Sequence, residues 1–311
     1  MTQSITGKRK RKRPGKSGVL LLMMLPGIMY LIINNYLPMF GVVIAFKDFN
    51  YSKGILGSDW IGFKNFEYLF KTSDAFVITR NTILYNGVFI ILNLFIAVGL
   101  AILLNEVKRR FLSRFYQSVI LLPYLISMVI IGYLVFAILS MDNGLLNKSI
   151  LPMLGLSEIS WYSEAKYWPY ILTFVHTWKS SGYLCVIYLA AIIGIDQEYY
   201  EAATIDGAGK WRQIRGITFP LIMPVVTIMT LLQIGRIFYS DFGLFYQVPL
   251  NTGALQSTTN VIDTYVYRAL MTTGDIGMSS AAGLYQSLVG FLLVFISNYV
   301  VKKLSRDNAL F

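Results

Sequence analysis

EAATIDGAGKWRQIRGITFPLIMP, residues 201–224, is a short charged stretch punctuated by glycines, and a long apolar segment lies on each side of it. Upstream, residues 168–194 carry one lysine and no acid; downstream, an apolar run opens at Phe219-Pro220. A helix needs about 20 apolar residues to cross the hydrocarbon core. The stretch therefore reads as a loop at a membrane surface between two spans. Within it, Asp196 to Ala208 predicts a short helix, with Asp196 as N-cap, Glu198 and Glu201 at the positive end, and Gly207 and Gly209 as the stop. A second short helix from Lys210 to about Ile217 leads into the next span at Pro220.

Composition agrees. The 311 residues are 55% hydrophobic and 14% charged, with mean hydropathy +0.57. A soluble domain of this length carries about a quarter charged residues. The single cysteine, Cys185, lies in an apolar segment, so no disulfide forms within the chain. The net charge of +11 invites a nucleic-acid reading until its location is considered. Seven basic residues (Lys8, Arg9, Lys10, Arg11, Lys12, Arg13 and Lys16) stand directly before the first apolar segment. There they serve as an orientation signal beside anionic membrane lipid, and no nucleic-acid partner is expected.

The expected fold is all-α, a polytopic membrane protein with six transmembrane helices, because lipid offers the backbone no hydrogen-bond partners. The spans fall at roughly 18–46, 81–104, 116–140, 168–194, 219–241 and 280–302, and Pro26 and Pro38 should bend the first. The basic start mimics a signal peptide, but no small-x-small cleavage site follows, so the segment is expected to stay. With the N-terminus inside, the inner segments carry seventeen basic residues and the outer ones eight. The outer loops hold most of the acids, among them Asp59, Asp142, Asp263 and Asp275. This asymmetry puts both termini and residues 195–218 in the cytoplasm of a multi-pass cell-membrane protein. The domain plan is a basic cytoplasmic tail at 1–17, expected to be flexible, a transmembrane domain at 18–304, and a C-terminal cytoplasmic tail at 305–311. The outer loops at 47–80, 141–167 and 242–279 are long enough to form a partner surface; residues 257–271 show a helical pattern of Val261, Val266 and Leu270, with Thr258 or Asn260 as cap.

The loop at 201–224 resembles the EAA loop of permease subunits of ATP-binding-cassette importers. Glu201, Ala202, Ala203, Gly207, Ile217 and Pro220 fall in register with that pattern, and Phe219 replaces its leucine. Asp206, Ala208, Gly209 and Pro224 extend the likeness to sugar importers. HTWKSSGYLCVIYLAAI at 176–192, IGFKNFEYLF at 61–70 and GMSSAAGLYQSLVGF at 277–291 are similar to other parts of the same permeases, so the resemblance covers most of residues 19–303. It is nearest to the maltose-type branch named for lipoprotein-linked and uronide-oligosaccharide permeases. The resemblance implies a helix that docks on a cytoplasmic ATPase, with Glu201 making a charged contact and Gly207 permitting a close turn. It implies a second similar permease, two ATPases that bind ATP and Mg, and an extracellular or periplasmic solute-binding protein. Cofactors are expected in the ATPases and none in this chain, which is expected to be a non-catalytic transport subunit.

PGKSG at 14–18 is not a phosphate loop, since Lys10 stands where the motif requires glycine and no strand precedes it. His176 is the only histidine, so a metal site or a Ser-His-Asp arrangement lacks material; beside Trp178 and Lys179 it suits helix packing or the outer end of the fourth span. Polar residues within spans should face the bundle interior or a water-filled path. Asn86 and Asn93 on the second span, Gln233, Arg236, Tyr239 and Ser240 along the fifth, and Tyr285 and Gln286 on the sixth are the candidates. Amide, hydroxyl and aromatic groups would suit a sugar path, and they would equally suit interhelical hydrogen bonds. In the maltose-type family one permease of the pair can hold the sugar site, so this chain need hold none of it. The alternatives are a permease for amino acids, peptides or phosphate, and a polytopic glycosyltransferase. The latter would need paired carboxylates or a metal motif at the membrane surface, and the sequence offers neither.

Overall fold

The computed structural model describes residues 15–67, 71 and 73–304, so most of both expected tails lies outside the described residues. Helix α1, Gly15–Leu31, starts three residues before the expected first span and continues through further helical turns to Phe46. A two-stranded antiparallel ribbon follows, β1 (Lys47–Asp48) beside β2 (Asp59–Trp60). The remaining principal helices are α2 (Ser73–Asn105), α3 (Arg110–Leu125), α4 (Met128–Leu139), α5 (Trp168–Ile193), α6 (Gln197–Ile205), α7 (Lys210–Gln213), α8 (Phe219–Gly235), α9 (Phe242–Gln247), α10 (Ile262–Arg268) and α11 (Ile276–Leu304).

Among the described residues, four helical stretches are long and apolar enough to span a membrane: Leu20–Phe46, Ala75–Asn105, Lys210–Gly235 and Ile276–Lys303. Six result if each of two bent pairs counts as one span. The expected continuous helix at 116–140 is in fact α3 and α4 meeting at 95°. Ile126 and Ser127 are extended between them, and the Ser127 hydroxyl accepts from the Ile130 N–H to cap α4. The carbonyls freed at the end of α3 are taken by Lys179 of α5. Its Nζ donates to Tyr124 at 3.0 Å, to Pro123 at 3.3 Å and to Ile126. A cation at the negative end of a helix satisfies both the orphan carbonyls and the dipole.

The fifth span also ends earlier than expected. α8 stops at Gly235, and residues 236–240 form a turn rather than continuing to 241. Side chains replace the lost helical donors: Asn86 Nδ2 donates to the Ile237 carbonyl at 2.8 Å, and Gln286 Nε2 to that of Phe238 at 2.7 Å.

Prolines leave a consistent mark. Pro38, Pro152 and Pro220 each follow a five-residue π turn, at Ile32–Tyr36, Leu146–Ile150 and Ile214–Thr218. Proline lacks an N–H and its ring crowds the carbonyl four residues back; a widened turn relieves that clash.

The core has two parts, one toward each end of α2. At the first half of α2, Tyr85 and Phe89 meet Trp168 and Leu172 of α5 and Phe245 of α9. At its second half, Ala97 and Ala101 pack with Cys185, Tyr188 and Ile192 of α5 and Ile222 of α8. Small residues at such interfaces let helix backbones approach closely. Gly182 is the extreme case, since a Cβ there would lie 2.0 Å from the Ile120 carbonyl oxygen of α3. The α1 rod, by contrast, packs on α11 through Phe40–Phe46 and is exposed along most of its length.

Candidate coupling and transport sites

α6 forms as the sequence predicts. Asp196 caps it, its carboxylate accepting from the Glu198 N–H at 3.1 Å. At the other end Gly207 takes φ +76°, the left-handed conformation that glycine adopts at least cost. The Ala208 N–H bonds the Ala203 carbonyl at 2.8 Å and the Gly207 N–H bonds that of Thr204 at 3.0 Å, the paired bonds of a Schellman cap. Gly209, which the sequence reading assigned to that stop as well, is instead extended and forms the N-cap of α7.

The loop is tied to the helix that follows. Gln213, buried on α7, donates through Nε2 to Thr204 Oγ1 at 2.9 Å and to the Ala208 carbonyl at 3.1 Å. Tyr200 on α6 shares a hydrogen bond of 2.9 Å with Thr218, the residue before α8. Lys210 pairs with Glu106 beyond the end of α2 at 3.2 Å, an exposed contact worth little by itself. α6, α7 and the start of α8 are thereby braced as one piece. Glu201, Ala202, Asp206, Gly207, Gly209 and Pro220 are exposed on it, while Ala203, Ala208 and Ile217 are half-buried. Three large apolar groups are exposed on it as well: Tyr199, Ile205 at 87% exposure and Trp211 at 74%. Gln213, Tyr200 and Thr218 were not singled out in the sequence, which gives no signal separating a clamp from an ordinary polar loop residue.

The polar residues of the spans divide in two. Asn86 bonds the Ile237 and Thr82 carbonyls and Ser240 Oγ. Asn93 lies 3.1 Å from His176 Nε2, and the His176 ring stacks on Phe89 at 3.8 Å. Gln286 bonds the Phe238 carbonyl and Asp263, and Tyr285 packs edge-on against Phe238. These four hold helices together, so they are not the free lining of a path that one reading expected, and His176 sits within the bundle rather than at its outer end. Arg236 is exposed, Tyr239 is exposed and bonded to Ser287 at 2.7 Å, and half-buried Gln233 only reaches its own helix at Met229. Arg236, Tyr239 and Ser240 lie in the turn after α8, not along a fifth span.

The outer segment differs from expectation as well. Val261, Ile262 and Thr264 are fully buried, and the Ile262 N–H bonds Thr82 of α2 at 3.1 Å. Neither Thr258 nor Asn260 caps α10; Val261 is the cap residue, its N–H bonded by Thr264 Oγ1. The helix is thus packed into the bundle against α2. Asp263, in the first turn of α10, accepts from the Ser240 N–H at 2.8 Å, and burial raises its carboxyl above the ordinary carboxylate value despite that bond.

Residues 93–306 match the family described as binding-protein-dependent transport system inner membrane component. The chain belongs to this family. It is a multi-pass membrane component of such a transport system, a transport subunit and not a catalyst. It is 37% identical to Protein LplB of Bacillus subtilis (strain 168) over 93% of this chain and 90% of that one. To the polygalacturonan/rhamnogalacturonan transport system permease protein YteP of the same organism it is 34% identical, over 97% and 94%. A solved bacterial ABC transporter involved in the import of the acidic polysaccharide alginate contains a chain that superposes with TM-score 0.85 and 29% identity, covering 93% of this chain and 97% of that one. The matched family region takes in α6, its Schellman cap and the Gln213 clamp, so the most regular piece of local geometry lies within the family's extent.

Proposed function

We propose that this permease imports oligosaccharides and is driven by a separate cytoplasmic ATPase that docks on α6. The carrying observation is the apolar surface of Tyr199 and Ile205 on a glycine-ended helix braced to α8. A solvated loop gains nothing from exposing such groups, whereas a docking helix buries them. Glu201, Ala202, Ala203, Asp206, Gly207, Ala208 and Gly209 form the contact, and Ile217 and Pro220 carry its motion into α8. Oligosaccharide cargo is supported by YteP and the alginate importer. ATP and Mg are held by the ATPase pair, a second similar permease completes the pore, and a binding protein delivers the sugar. The exposed α1 rod leaves an apolar surface for that second permease or for lipid. The excess of basic residues puts both termini and 195–218 inside.

Within the pore, Gln233, Arg236 and Tyr239 are the groups left to meet sugar. Arg236 has no ion pair among the described residues, and a cation in that position favours a carboxylated sugar. Copurification of the complex, with uptake of labelled neutral and acidic oligosaccharides by a deletion strain, tests the proposal. Absence of a bound ATPase, or uptake of amino acids or peptides in place of sugars, refutes it. A cysteine at Arg212 should resist an impermeant thiol reagent in intact cells while one at Asn251 reacts; labelling at 212 would overturn the orientation.

A further inference from the structure

A groove of about 770 Å³ runs between the inner half of α2 and the start of α8. Phe95, Gly99 and Leu103 form one wall and Phe219 and Met223 the other, and its one charged lining residue is Arg215. We infer that this groove holds an anionic phospholipid of the inner leaflet, with an acyl chain along α2 and the phosphate on Arg215.

Three observations converge on that occupant. The first is charge. Arg215 is exposed, and its guanidinium has no ion pair or hydrogen bond among the described residues, whereas nearby Lys210 is paired with Glu106. Guanidinium groups bind phosphate oxygens through paired N–H donors, and basic pockets on the cytoplasmic side of membrane helices attract anionic headgroups. The second is depth. The α2 wall extends from Leu94 to Leu103, about 13 Å at 1.5 Å per residue, close to half of a hydrocarbon core of about 30 Å. The groove is therefore one leaflet deep. The third is the aromatic at its mouth: Trp211, 74% exposed, stands at the charged end, where tryptophan favours the headgroup level. The inference rests on the cytoplasmic placement of residues 195–218 proposed above. It also has a mechanical side, because Arg215 lies in the π turn joining the coupling helices to α8. A lipid there braces the joint through which α6 would move α8.

The test is native mass spectrometry of the intact importer complex, purified and then offered phosphatidylglycerol or phosphatidylcholine. The wild type should retain phosphatidylglycerol preferentially. Arg215→Gln should reduce that preference about fivefold, the worth of one cationic side chain near an anionic surface. Gly99→Phe should abolish retention of both lipids, since a Cβ at Gly99 meets nothing within 4 Å and the ring would fill the groove. Gly99→Phe lies away from the docking loop and should keep the ATPase bound, so loss of lipid is read separately from loss of coupling. Equal retention of the two lipids by the wild type, with the ATPase bound, overturns the inference and leaves the coupling proposal standing. So does a photo-cross-linker at Leu103 that captures the second permease, because the groove is then a protein interface.

Discussion

Gly207 offers a test in which the chain and its partner can be told apart. Its φ of +76° strains any side chain, at about 1–2 kcal/mol for an ordinary L-residue. A Cβ built there has nothing within 4 Å, so this chain adds no clash to that strain. Gly207→Ala and Gly207→Trp should therefore destabilise the isolated permease equally, by a few degrees of melting temperature at most. Gly207→Asn should cost less, since asparagine tolerates the left-handed region. The ATPase sees the three differently. If it closes around the exposed end of α6, tryptophan must be accommodated in a packed contact, at about 3 kcal/mol or roughly a hundredfold in affinity. Alanine should lose little beyond its strain. The assay is thermal melting of each purified permease beside ATPase pull-down and sugar uptake from membranes with matched permease levels. Should Gly207→Trp hold the ATPase and transport as well as Gly207→Ala, no partner packs against this turn and α6 is not the coupling helix.

Gln213→Leu removes both bonds that tie α7 back to Thr204 and Ala208, costing about 1–3 kcal/mol; amide exchange in α6 should quicken about tenfold, and unchanged exchange would show the clamp to be idle. Lys179→Met strips the donor from three carbonyls at the break between α3 and α4 and should cost about 3 kcal/mol of complex stability, with Lys179→Arg largely restoring it. Asp263 has a folded pKa raised from 3.8 by burial, so the folded state holds the proton more tightly and the stability from it is lost as pH rises through the folded value. Asp263→Asn, always neutral and still able to accept from the Ser240 N–H, should flatten that part of the melting-temperature profile; a wild-type profile that rises there would contradict the sign.

The apolar segments and the short helix α6 were legible because each leaves a local pattern. Twenty apolar residues have one stable outcome in lipid, and Asp196 and Gly207 mark the ends of α6 by side-chain chemistry alone. The breaks were not legible. Residues 116–140 are uncharged and mostly apolar, and the sequence hints at the bend only through Pro123 and Ser127. What holds it open is Lys179, more than fifty positions away, and a lysine read alone looks like a charge at a membrane surface. The early end of α8 is hidden for the same reason. Its freed carbonyls at Ile237 and Phe238 are satisfied from α2 and α11, and no window of neighbouring residues contains those donors.

The transport path shows the same limit in sharper form. Asn86 and Asn93 lie seven residues apart on one helical face, which is what both a sugar path and a helix-packing seam require. Periodicity fixes the face and leaves its neighbour open. In the folded chain that neighbour is protein: the two amides meet Ile237 and His176, and Gln286 meets Phe238. Arg236 and Tyr239 remain exposed because α8 ends at Gly235, just before them, and the turn that follows leads them away from its regular face. The residues most available to a sugar thus owe their position to a helix terminus. A terminus of this kind is set by distant donors, so the candidate lining follows from the same long-range bonds that the sequence conceals.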